Sequence, residues 1–206
     1  MKIVKITLLF IAVSSLTNCA SGYKLIEPKS INYISMNEIE DVRLEYKYDL
    51  LDKKYAKKET KKGVKLVAIK VTNNSEKDLM FGRDIKLSYE NENEVYVMEN
   101  QKVFKTLKQS PASYLWYLLL TPVNFYVTET NSNGFQQERS STPIGLVLGP
   151  GLAGGNMIVA GSANKKFKEE MSEYNINGTI IKNGETKYGL IGIKTDSFDA
   201  LKLKIE

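Results

Sequence analysis

Apolar and polar residues alternate in several short runs along this chain. Val42, Leu44, Tyr46 and Tyr48 form one run, Val67, Ile69 and Val71 a second, and Ile85, Leu87 and Tyr89 a third, which Val95 and Val97 continue. A period of two places each set on one face of a β-strand. Turn-forming residues separate the runs: Gly63, then Asn73-Asn74-Ser75, then Asn91-Glu92-Asn93. The pattern returns after residue 174 with Ile176, Ile180 and Ile181, then Tyr188, Leu190, Ile191 and Ile193, and finally Leu201, Leu203 and Ile205. Asn183-Gly184 between them is a two-residue hairpin signal. Seven or so short strands predict a mainly β fold, an Ig-like antiparallel β-sandwich built from residues 39–108 and 174–206.

Residues 109–173 break this pattern. The stretch 109–128 has no charge and holds Tyr114, Leu115, Trp116, Tyr117, Leu118, Leu119 and Leu120; the stretch 140–164 is also uncharged and is rich in Gly and Ala. Ser110-Pro111 and Thr142-Pro143 supply an N-cap followed by proline at the first helical position, so each stretch is expected to open a helix. Together they predict an inserted apolar, Gly-rich helical hairpin. Twenty helical residues reach about 30 Å, the thickness of a bilayer's hydrocarbon core. Pro122 is expected to kink the first helix and Gly149-Pro150-Gly151 to break the second, which favours a broken or re-entrant hairpin over a clean span. Gly145 with Gly149, and Gly151 with Gly155, have the four-residue spacing that lets helices approach closely.

Trp116, Tyr117, Leu118 and Leu119, with those four glycines, are therefore the candidate contacts of the hairpin with a membrane or a protein partner. Three readings stand side by side: cover for an open face of the sandwich, membrane contact, or an oligomerisation surface. Lys102, Lys105 and Lys108 precede the hairpin and Lys165, Lys166 and Lys168 follow it, which puts both basic ends on one side and favours a hairpin lying at the headgroups.

With 42% apolar and 26% charged residues the chain has the composition of a folded protein with a packed core. It has no histidine and one cysteine, which excludes His-dependent triads, His-ligated zinc and an intrachain disulfide. Gly149-Pro150-Gly151-Leu152-Ala153-Gly154 has the letters of a dinucleotide fingerprint, but no strand leads into it and a proline sits in the turn. The acids Asp41 and Glu45, and Glu90, Glu92 and Glu94, match no calcium-loop spacing. No Ser-x-x-Lys spacing activates Ser140 or Ser141. No catalytic residue, metal site or cofactor is expected; a hydrolase working through carboxylates alone is the remote alternative. Lys53, Lys54, Lys57, Lys58, Lys61, Lys62 and Lys65 crowd together, either as a solvated loop or strand edge or as an attraction to anionic headgroups. Nucleic acid is not an expected partner, because no reader motif flanks them.

The first residues explain the single cysteine. Lys2 to Lys5 form a short basic stretch, an apolar run extends from Ile6 to Val13, and small polar residues follow, the three-part layout of a secretory signal. It ends in Leu16-Thr17-Asn18-Cys19, which resembles the lipobox of bacterial lipoproteins, although Asn18 replaces the usual small residue before the cut. The resemblance implies cleavage of a signal peptide, residues 1–18, and acyl chains such as palmitate on Cys19, each contributing about 0.8 kcal/mol per buried methylene to anchoring. Residues 19–38 would then be the lipidated N-terminus, with Ala20-Ser21-Gly22 as a flexible tether. Ala20 after the cysteine implies the periplasmic side of the outer membrane if the cell is Gram-negative. Loss of Lys2 and Lys5 would lower the formal charge from +5 to +3. Val64 to Val71 followed by Thr72-Asn73-Asn74-Ser75, and Asn183-Gly184-Glu185 leading into Tyr188-Gly189-Leu190-Ile191, resemble strand patterns of Ig-like bacterial envelope domains. The expected role is non-catalytic binding or assembly in the cell envelope, with a purely structural component as the alternative.

Overall fold

The computed structural model describes residues 19–131 and 133–206. The expected signal segment, residues 1–18, lies outside them. The chain divides into two compact units: a β-rich unit of residues 23–108 with 163–206, and an apolar unit of residues 109–162 to which residues 19–22 belong.

In the β-rich unit, strands β1 (Ser35–Ile39), β2 (Val42–Lys47), β3 (Val64–Asn73), β6 (Val97–Met98) and β10 (Glu185–Lys194) form an antiparallel sheet in the order β1-β2-β3-β10-β6. Two smaller antiparallel pairs accompany it: β5 (Ile85–Tyr89) with β11 (Leu201–Ile205), and β4 (Leu79–Met80) with β9 (Ile180–Ile181). The mainly β class with antiparallel pairing holds. β3 is buried on both faces, because the sheet has a core on each side. Val67, Ile69 and Val71 join Val42, Leu44, Ile191 and Ile193 in a cluster with Ile85, Leu87, Leu201 and Leu203 of the β5–β11 pair. Val64, Leu66 and Ala68 point the other way, into a cluster with Tyr55, Val103, Phe167 and Met171.

That second layer is helical. Helix α1 (Lys53–Lys62) contributes Tyr55, helix α2 (Asn100–Leu107) contributes Val103 and Leu107, and the end of helix α3 (Gly145–Glu173) contributes Phe167 and Met171. The lysine-rich segment is thus a helix and not the loop or strand edge expected for it. Gly63 ends α1 in the left-handed conformation and returns its N–H to the Glu59 carbonyl. Asn183-Gly184 does make a turn, with the Glu185 N–H on the Lys182 carbonyl at 2.9 Å. The expected hairpin does not form there, because β9 pairs with β4 while β10 pairs with β3 and β6. The chain uses this turn to change sheets.

The apolar unit also departs from the expected pair of helices. Its first part is a 3-10 helix, Pro111–Leu120, opened as expected by Ser110 with proline at its start. A two-stranded antiparallel ribbon follows, β7 (Phe125–Thr130) with β8 (Gln136–Thr142). The second part is α3, which runs through Gly149-Pro150-Gly151 without breaking. Pro150, in the second turn, cannot donate to the Leu146 carbonyl, but both residues are exposed, so water reaches that carbonyl.

Candidate functional site

The apolar unit carries three charges in its described residues, Glu129, Glu138 and Arg139, all on the ribbon, where Arg139 pairs with Glu129. Its other elements expose large apolar side chains. Trp116 is 74% exposed and Leu119 67%, and Leu115, Leu118, Val123, Phe125 and Tyr126 are also exposed. Along α3, Leu146, Val147, Leu148, Ile158 and Val159 are exposed, while Ala153, Asn156 and Ala160 make its buried side. α3 is long and apolar enough to cross a membrane, and only 28% of its most apolar stretch is buried within the protein. A core helix of a soluble domain would bury most of that surface. These side chains together make an exposed apolar surface on the unit.

The residues singled out from sequence fall into two groups. Gly145 and Gly149 let α3 start against backbone: a Cβ on Gly145 would lie 2.1 Å from the Leu120 carbonyl oxygen, and one on Gly149 would lie 3.2 Å from that of Tyr117. The Gly145 N–H donates to the Val123 carbonyl at 2.8 Å. Small residues here let α3 start against the end of the 3-10 helix within the same unit. Gly151 and Gly155 face open space, with nothing within 4 Å of a Cβ. Trp116, Leu118 and Leu119 are exposed on the 3-10 helix, whereas Tyr117 is half-buried.

Cys19 is exposed. Tyr117 is hydrogen-bonded to it and stacks on Tyr114, with ring centroids 6.4 Å apart and planes 3° from parallel. The residues that follow are held and do not form the free tether expected of Ala20-Ser21-Gly22. The Ala20 N–H donates to Asn156 Oδ1 at 2.5 Å, and Asn156 Nδ2 donates to the Leu152 carbonyl at 2.8 Å. The amide of Gln109 takes the Ser21 N–H at 3.1 Å and returns Nε2–H to the Ser21 carbonyl at 2.7 Å, so that a side chain completes a two-bond ladder. The Tyr114 hydroxyl also donates to Gln109 Oε1, at 3.4 Å.

Sequence reasoning passed over Gln109 and Asn156. Their signal was there, since an amide in an uncharged apolar stretch needs hydrogen-bond partners once buried. The whole arrangement presents a cysteine on a neutral, largely apolar body and satisfies the backbone beside it. Among the described residues no group of three or more His, Cys, Asp or Glu side chains is placed to hold a metal ion. No known family, curated protein or solved structure matches this chain.

Proposed function

We propose that this chain is a lipid-anchored protein of the bacterial cell envelope, exported by residues 1–18 and acylated on Cys19, whose work is binding or assembly and not catalysis. The observation that carries the reading is the exposure of Cys19 on a unit that is itself uncharged, apart from the ribbon, and apolar on its surface. Acyl chains leaving Cys19 would enter the same medium as Trp116, Leu119, Leu146 and Val147, and burying those side chains in lipid would add to anchoring. The β-rich unit is the part that would face the aqueous side, with its five-stranded sheet and the β5–β11 pair read as the two layers of an Ig-like sandwich. In a Gram-negative cell Ala20 favours the outer membrane, periplasmic side.

Intact-mass analysis of wild-type and Cys19→Ala protein from the membrane fraction of a lipoprotein-processing bacterium tests this. Loss of residues 1–18 with added acyl mass, abolished by the substitution, is the expected result. An unacylated wild-type chain would overturn the anchor.

A further inference from the structure

We propose that the lysines of α1, together with Lys108, form a docking surface for the anionic headgroups of phospholipids, a second membrane contact beside the acyl chains of Cys19. The proposal rests on the lipid-anchored reading and adds a choice of lipid to it. α1 buries Tyr55 and Glu59 and turns its lysines outward; Lys53, Lys57, Lys61, Lys62 and Lys108 are exposed. The Lys58 ammonium reaches across to the Lys108 carbonyl and ties the helix to the end of α2. Lys58 is held below the ordinary lysine range, by burial first and then by Lys62, Lys108, Lys61 and Lys54. The charges that act most on it are all of its own sign. Among the described residues Lys57, Lys58, Lys61, Lys62 and Lys108 enter no ion pair with an acid. Such a cluster lacks its counter-charge.

Chain connectivity indicates where the counter-charge would come from. Lys108 is bonded to Gln109, and Gln109 holds Ser21, two residues from Cys19. Along the chain, one peptide bond and one side-chain ladder separate Lys108 from the segment that carries Cys19. A cysteine anchored in a bilayer tethers this cluster to a membrane whose headgroups carry the missing charge. The other lysines near the apolar stretch do not make an equivalent surface, because Lys165 and Lys166 share their helix with Glu169, Glu170 and Glu173, and Lys165 lies 3.9 Å from Glu169. Lysines near an anionic membrane each strengthen binding severalfold, and salt screens the effect.

The test is flotation of the full chain carrying Cys19→Ser, which removes acylation, with vesicles of phosphatidylcholine alone or containing about one-third phosphatidylglycerol. We expect binding to the anionic vesicles to be at least about tenfold tighter at low salt, and the preference to vanish at high salt. Lys57→Gln, Lys61→Gln, Lys62→Gln and Lys108→Gln together should bring the preference to within about twofold and leave binding to neutral vesicles unchanged. The same four positions as arginine should retain it. Equal binding of the wild-type charges to both vesicles, or an unchanged preference in the glutamine variant, would overturn the docking surface and leave the apolar contact standing. Flotation with neither vesicle would overturn both, while the mass analysis still decides the anchor. Should the glutamine variant lose its fold, Lys61→Gln with Lys62→Gln alone, both in the exposed last turn, reads the same preference.

Discussion

A methyl group added to Gly192 would sit 2.2 Å from Cγ2 of Val103. β10 carries glycine where helix α2 presses its one fully buried valine onto the sheet, so the helix lies closer than any side chain at that position permits. Gly192→Ala is expected to destabilise the protein by about 1–3 kcal/mol through overpacking. Combining it with Val103→Ala should cost less than the two single changes added together, because the second removes the atoms the first collides with. Denaturant unfolding of the four proteins measures this; strict additivity would show that α2 does not seat on Gly192.

Glu170 is buried on α3 and accepts three hydrogen bonds: the Tyr23 hydroxyl at 2.5 Å, the Ile26 N–H at 2.8 Å and the Glu27 N–H at 2.9 Å. Glu170→Ala strands two backbone donors and a phenol at once, and is expected to cost about 2–4 kcal/mol. Tyr23→Phe should cost only about 1 kcal/mol, since the carboxylate keeps its backbone partners. Tryptic cleavage after Lys24 or Lys29 should accelerate in the alanine variant before global unfolding does. Equal resistance would mean that the segment is held by Tyr23 and Ile26 packing alone.

Glu59 faces inward from α1 and accepts the Leu66 N–H at 2.7 Å. Burial pushes its carboxyl up to about 7, against the pull of that hydrogen bond and of Lys65. Between about pH 4.5 and 7 the folded chain holds a proton the unfolded chain has released, so this residue makes stability fall as pH rises, by at most about 1.4 kcal/mol per pH unit. Below that window both states are protonated and the effect is absent. Glu59→Gln should therefore gain on wild type as pH climbs from 4.5 to 7, read as the difference between their urea midpoints. A constant difference across the window would mean that the carboxyl titrates normally.

Trp116, Leu119, Leu146 and Val147 are exposed and contribute little to the folded core. Changing all four to serine should shift the melting temperature by no more than about the 2–4 °C expected for a change near 1 kcal/mol. It should sharply reduce partition of the unacylated chain into detergent. A collapse of the fold on substitution would place these side chains in a core and remove them from any membrane surface.

Strands with one solvated face were legible: Val42, Leu44 and Tyr46, and Leu201 and Leu203, alternate in sequence and are buried in the structure. β3 was legible only by half. Its odd positions showed the expected period, but Leu66 and Ala68 face a helical layer that no period-two pattern announces. α1 was hidden because it needs only Tyr55 and Glu59 inside, too few apolar positions to mark a helical stripe. The ribbon of β7 and β8 was hidden because both strands are solvated throughout and alternate nothing. At the candidate site, lack of charge and the glycine spacing could be read in advance. The pairing of Gln109 with Ser21 could not, because 88 residues separate them and only folding brings them together.

The hydrogen bond from the Ile26 N–H to Glu170 spans 144 positions of the chain. A ribosome adding about 5–20 residues per second needs roughly 7 to 30 s to pass from one to the other. Until then the carboxylate that fastens the N-terminal segment does not exist, and Gln109 and Asn156, which hold Ser21 and Ala20, also come later in synthesis. The segment after Cys19 is thus unfastened early in the life of the chain, and its latest partner, Glu170, is made only when most of the chain has been made. The order of synthesis sets the order in which the N-terminal segment is fastened: Gln109 first, then Asn156, then Glu170.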